Sequence, residues 1–351
     1  MPASSEYRGR RAAVVENDAL RVTVLEEGGH IAAIFDKQSG VNPLWTPPWI
    51  SIEPSTYSRA RHPEYGDGSD ALLLAGIMGH NLCVDIFGGP SDAEAAAGLT
   101  PHGEAAVVPY DLGVSETRMT MAAELPRAAL RVEREIVLID RAVKIRETVE
   151  NLTACDRPIG WTQHVTLGPP FLEKGLTEFR ASATRSKVFE RPFGAADDLA
   201  AGALFDWPLA PRADRGVADL RRLTDARASS AYTAHLMDQS NEDAFFVAFS
   251  PKRRLAFGYV WKREDFPWLG IWQENHSRAH APWNGVTLAC GMEFGASPMP
   301  ESRREMIDRG RLFDVPTFRW IPAKSRVEAV YWAIARDADA VPERLTRPIL
   351  S

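Results

Sequence analysis

The chain is poor in cysteine, with three in 351 residues: Cys83, Cys155 and Cys290. An odd count without a CxxC spacing argues against a disulfide framework and against a cysteine-built zinc site. No uncharged apolar run approaches the ~18 residues of a membrane helix. The first eleven residues are polar and lack the apolar stretch of a signal peptide. No membrane partner is therefore expected, and a cytoplasmic location follows by default. Positive charge is not in excess: 41 Lys and Arg against 47 Asp and Glu leave a net charge of -6. The basic footprint of a nucleic-acid partner is missing. GxGxxG, GxxxxGK[ST], GxSxG and HExxH are absent as well, which weakens dinucleotide, nucleoside triphosphate, serine-hydrolase and zincin readings. No cofactor is expected.

Long helical patterns are also scarce. Ser91-Asp92 followed by Ala93 to Ala97 reads as one or two helical turns stopped by Gly98. Pro300-Glu301 leading into Ser302 to Leu312 is the best helix signal, with proline near its start and Gly310 near its end. Asp197 to Leu204 is a third, short candidate. What dominates is period-2 alternation. Leu20, Val22 and Val24 share one face opposite Arg21 and Thr23; Val143 and Ile145 alternate with Lys144, Arg146 and Thr148. Ala244 to Phe249 and Leu255 to Trp261 flank a polar turn and read as a hairpin. Val286 to Phe294 and Ser325 to Ala335 read as further strands. Apolar residues make up 45% of the chain, enough for a large core without staples. No linker or internal repeat divides the sequence; Pro208 to Arg222 reads as an exposed excursion. The expectation is one domain over residues 1–351, an all-β, large antiparallel β-sandwich with few short helices.

The chemistry-bearing residues fall in four Gly/Pro-rich clusters. Phe87-Gly88-Gly89-Pro90-Ser91 precedes Pro101-His102-Gly103-Glu104. Trp161-Thr162-Gln163-His164 runs into Gly168-Pro169-Pro170. Gly270-Ile271-Trp272-Gln273-Glu274-Asn275-His276 forms the third. Gly291-Met292-Glu293-Phe294-Gly295 with Ser297-Pro298 forms the fourth. In this order the His-Gly pair, the second histidine after Glu150-Asn151-Leu152, and the late glutamate resemble the galactose mutarotase-like superfamily, the aldose 1-epimerases and their relatives. The opening Gly28-Gly29-His30-Ile31 before Phe35-Asp36 is similar to that family's first hairpin. The likeness runs over most of the chain.

The resemblance implies a supersandwich fold and a small-molecule carbohydrate as partner. It implies Glu293 as general base on the anomeric hydroxyl and His164 as general acid on the ring oxygen, a division of labour that suits two groups of tunable pKa. His102 would bind beside the ring oxygen, Trp272 would form an apolar floor, and Gln163, Glu274 and Asn275 would hold hydroxyls. Two of the family's features have no counterpart. The stretch Gly76-Ile77-Met78-Gly79-His80-Asn81 holds no arginine, and Asp238 and Asp243 are only positional matches for its substrate-binding aspartate. Three readings stay open at this point: an aldose 1-epimerase, a non-catalytic carbohydrate-binding sandwich, and a lyase or isomerase acting on a modified sugar. A metal on Glu274, His276 and His280 is the alternative that would favour the last. Ordinary explanations also exist: His164 and Trp272 as core side chains, His102 as a turn residue.

Overall fold

A computed structural model describes residues 5–194 and 196–348. Two antiparallel sheets, of twelve and eight strands, face each other. The large sheet runs from Ser5–Tyr7 through Arg10–Glu16, Leu20–Leu25, Ile31–Asp36 and His80–Asp85. It continues through Arg157–Leu167, Leu288–Gly295, Trp268–Asn275 and Ser229–Met237 to Ala183–Val188 and Leu204–Asp206. The small sheet contains the long strands Arg118–Leu125, Leu130–Ile139, Ala142–Asn151, Asp243–Ser250, Leu255–Lys262 and Arg326–Asp337. The chain has the antiparallel β-sandwich architecture expected of its alternating strands. Among the described residues the longest α-helix, Arg303–Arg309, has seven residues.

Burial patterns explain the layering. Leu130–Ile139 alternates buried and partly exposed positions, as a sheet with one wet face must. Val132, Ile136, Val143, Ile145 and Val149 point inward and meet Leu20, Val22, Val24, Val165 and Phe294 of the large sheet in one apolar core. Arg157–Leu167, Ser229–Met237 and Leu288–Gly295 are instead almost wholly buried. Their second face is covered by loops and one short helix, which pack Trp45, Leu73, Phe87, Phe189, Trp283 and Met299 over Tyr232 and Trp272. The inner face of the same strands carries a buried polar network. Gln163 joins His80 (3.0 Å), Tyr331 (2.8 Å) and Glu147 (2.7 Å), and Glu147 binds Arg134. These bonds tie the two sheets together under the site strands.

Both capped helix signals hold. Ser91 caps Asp92–Ala96 and Ser302 caps Arg303–Arg309, each in a reciprocal capping box with a glutamate three residues on. Asp197 to Leu204 is not a helix. The Asp197 carboxylate accepts from the backbone N–H groups of Phe193 and Gly194 and from Ser230, while Asp197 and Leu199 form isolated bridges. An acidic side chain that turns back on its own backbone competes with the helix. Ala71–Gly76 is a helix that the sequence reading left out. The Pro208 to Arg222 excursion is a small two-stranded sheet, Leu209–Pro211 against Val217–Asp219.

Candidate active site

Register builds the site. His164 pairs with Asn81 on one side and with Glu293 on the other. Directly opposed residues of neighbouring strands project to the same face. Asn81, His164 and Glu293 therefore form one row across three strands on the loop-covered face. The next row is Thr166, Gly291 and Trp272, which continues to Tyr232. Phe87, His102, Arg278, Trp283 and Pro300 come in from the loops and close a cavity of about 390 Å3 over these rows.

His102 is delivered by a strained turn. Its φ is 67° and that of Gly103 is 77°, in the left-handed region that costs a non-glycine residue energy. A Cβ on Gly103 would lie 2.2 Å from the Val84 carbonyl oxygen, so the position after His102 admits only glycine. The turn packs His102 on His164, with ring centroids 4.5 Å apart. Asn81 links the two: its Oδ1 lies 3.0 Å from His102 Nδ1 and its Nδ2 lies 3.4 Å from His164 Nδ1. Thr166 Oγ1 is 3.1 Å from the same His164 nitrogen. A hydroxyl both donates and accepts, so it can accept a hydrogen bond from that nitrogen.

Nε2 of His164 lies 3.1 Å from Glu293 Oε1, yet Oε1 is left without a hydrogen-bond partner. Glu293 is 2% exposed. Burial pushes its carboxyl well above the usual carboxylate range and pulls His164 down to about 4. Desolvation also holds His102 well below an ordinary imidazole. Burial therefore favours a carboxylic acid beside a neutral imidazole over an ion pair. The buried indole nitrogens of Trp272 and Trp283 are also unpartnered. Three orphaned polar atoms belonging to side chains around one cavity are what a site awaiting a polar ligand leaves behind.

The remaining sequence expectations divide. Trp272 lines the cavity, its ring centroid 6.1 Å from that of His164. Gln163 does not: as the strand neighbour of His164 it points to the opposite face and is consumed by the inter-sheet network. Asn275 likewise turns away, donating to the Ala226 carbonyl and to Ser229. Glu274 shares the face of Trp272, but its carboxylate is occupied by Ser277 and by the backbone N–H of Arg278. Of the metal alternative on Glu274, His276 and His280, the Glu274 carboxylate is spent on these bonds and Nδ1 of His276 lies 3.2 Å from the Gly285 carbonyl oxygen. Among the described residues no group of three or more such side chains is placed to hold a metal. Asp238 and Asp243 bind Ser240 and Arg347 at the surface.

Several cavity residues carried no signal in the sequence: Tyr232, Trp283, Asp70 and Arg278; nor did Asn81, which lies behind the two histidines it joins. Arg278 lies over the rings of Trp283, Trp272 and Phe193 at 4.6, 5.4 and 5.5 Å, with Glu274 3.4 Å from its Nε. It places a cation at the cavity from the loop after Trp268–Asn275, far along the chain from Gly76 to Asn81, the stretch comparable to that of the family's arginine.

No family model matches the chain, and no curated protein matches it in sequence. Solved structures do. A galactose mutarotase-like protein from Clostridium acetobutylicum superposes with a TM-score of 0.62 at 12% identity, over 95% of this chain and 98% of that one. The fold is the one seen in that galactose mutarotase-like structure. A galactose mutarotase related enzyme from Lactobacillus acidophilus gives 0.59 at 12% identity, over 94% and 99% of the two chains. A galactose mutarotase-like protein from Lactobacillus casei gives 0.54 at 13%, over 93% and 100%. At these identities the galactose mutarotase-like likeness is one of fold, and the chemistry has to be argued from the cavity.

Proposed function

We propose that this protein is an aldose 1-epimerase-like isomerase that interconverts the anomers of a free sugar. The observation that carries the reading is the convergence of His102, His164 and Glu293, remote in sequence, around one half-open cavity floored by Trp272. A core histidine or a turn histidine has no need of a partnerless buried carboxyl 3.1 Å away.

Anomer exchange removes a proton from the anomeric hydroxyl and delivers one to the ring oxygen. The ring opens to the aldehyde, the C1–C2 bond rotates, and closure on the other carbonyl face reverses both transfers. The number of protons on the enzyme is unchanged over a full cycle. A closely spaced acid and base that share one dissociable proton meet this need. Burial favours that proton on Glu293. In this form Glu293 gives its proton to the ring oxygen while Nε2 of His164 takes the anomeric proton. That is the reverse of the starting allocation the sequence resemblance implies. Opening leaves carboxylate and imidazolium; closure returns both protons and restores the neutral pair. Nδ1 of His164 keeps its proton throughout and donates it to Thr166 Oγ1, which holds the ring with Nε2 toward the sugar; His102, anchored by Asn81, borders the reacting atoms. Trp272 offers an apolar face to the pyranose.

Exchange spectroscopy by NMR on a panel of hexoses and pentoses tests the proposal. The expected result is exchange well above the buffer rate for at least one aldose. A rate equal to buffer for every sugar bound would leave a carbohydrate-binding sandwich as the function.

A further inference from the structure

The catalytic cavity does not end at its own wall. At Gly68 and Asp70 it meets a second cavity, of about 530 Å3, lined by Arg59, Pro63, Tyr65, Asp67, His280 and Ala281. His102, His164 and Glu293 line only the inner chamber, while Gly68 and Asp70 line both. Together the chambers approach the upper end of the ~300–1,000 Å3 range of ligand pockets. That is far more room than one pyranose fills.

The outer chamber has the makings of a sugar subsite. The Asp70 carboxylate, half-buried at the junction, has no hydrogen-bond or ion-pair partner among the described residues. The same holds for the Asp67 carboxylate and the ring nitrogens of His280. Arg59 makes one hydrogen bond, from Nη2 to the Gly68 carbonyl oxygen at 3.2 Å, and faces no carboxylate within ion-pair distance. Tyr65 is buried behind them with its hydroxyl spent on the Ile50 carbonyl. Convergent donors and acceptors with free capacity beside an aromatic ring are the usual means of holding a neutral polyol.

We infer that the substrate is a reducing oligosaccharide of at least two units, with its reducing-end ring in the inner chamber and the next unit in the outer one. This rests on the isomerase reading above. That reading fixes the direction of the chain, because only a ring with a free anomeric hydroxyl can open. The second sugar must hang from another oxygen, toward Asp70 and away from His164 and Glu293.

The test measures anomer exchange and calorimetric affinity for glucose and galactose against maltose, cellobiose, lactose and melibiose. The expected result is a kcat/KM at least tenfold higher for one of the disaccharides than for its own reducing-end monosaccharide. In the Arg59→Ala/His280→Ala double variant this ratio falls toward one. Equal or better turnover of the monosaccharides overturns the two-chamber inference and leaves the isomerase reading standing. If no sugar exchanges at all, the isomerase reading fails and affinity decides this one. Disaccharide binding that is tenfold tighter and lost in the double variant supports the outer subsite; indifferent binding removes it.

Discussion

Gly291 sets the position of the Glu293 carboxyl. It lies on the cavity face of Leu288–Gly295, two residues before Glu293, with Trp272 opposite. A Cβ added there would sit 2.2 Å from Glu293 Oε1 and 3.2 Å from Trp272 Cβ. Ordinary non-bonded contact begins near ~3.5 Å, so in Gly291→Ala the carboxyl oxygen must retreat by about 1 Å. Its separation from His164 Nε2 is 3.1 Å, and such a shift takes the pair out of register with the sugar's two oxygens. Misplacement by ~1 Å can cost about 10²-fold in rate. The backbone itself has no reason to object, since Gly291 is not among the residues with positive φ. Replacing glycine at a compatible position stabilises by about 0.4–1 kcal/mol through the unfolded chain. That gain offsets part of the cost of moving the carboxyl, and the melting temperature should shift by only a few degrees. The assay pairs exchange NMR on the best aldose with thermal unfolding. A variant that unfolds like wild type and exchanges anomers within threefold of its rate would refute the argument that this glycine places the carboxyl.

Other outcomes follow from the same geometry. Imidazole in the unfolded chain titrates near ~6.5, and His164 in the folded protein is lowered to about 4. The unfolded chain therefore binds this proton first, and stability present above about pH 6.5 is lost as the pH falls toward 4. The shift corresponds to ~3 kcal/mol, so denaturant unfolding of His164→Asn should show about that much less destabilisation between pH 7 and 4; an unchanged slope contradicts a buried neutral His164. Trp272→Ala should weaken sugar binding on the order of tenfold while lowering kcat much less, because stacking serves ground and transition states alike; a selective loss of kcat in steady-state kinetics argues against a floor. Arg278→Lys keeps the charge but loses the planar contact with three rings. It should raise KM; unchanged kinetics would mean that Arg278 merely fills space.

The sequence disclosed more of the sheets than of the cavity. Alternation in Leu20–Leu25 and Ala142–Asn151 marked strands correctly because each of those strands contributes side chains to one core. The two short helices were readable from Ser91-Asp92 with the Gly98 stop and from Pro300 with Gly310, while the capping boxes on Glu94 and Glu305 emerged only in the structure. Asp197 to Leu204 misled because composition does not reveal that Asp197 folds back on Phe193 and Gly194. At the site, His102, His164, Glu293 and Trp272 were legible through motif order, and the cavity gathers all four. Gln163 could have been removed by the two-residue period alone, since a neighbour of His164 on a strand cannot face the same cavity. The offset of three between Trp272 and Asn275 makes the same point. Asn81 and Tyr232 were hidden for a different reason. Tyr232 reaches the cavity and Asn81 the two histidines through cross-strand register, which depends on pairings between strands as distant as His80–Asp85 and Arg157–Leu167. Arg278 and Asp70 come from loops whose paths no local pattern fixes.

The most direct test compares Glu293→Gln with wild type in exchange rate and sugar affinity, measured side by side on the same aldose. Glutamine keeps the shape of the buried side chain and relieves it of any charge, so folding and binding should persist. It can neither give nor take the proton that the reaction passes between the anomeric hydroxyl and the ring oxygen. The account predicts a loss of about 10²–10⁴ in exchange rate with affinity changed only a few-fold. A Glu293→Gln variant that exchanges anomers as fast as wild type would contradict it.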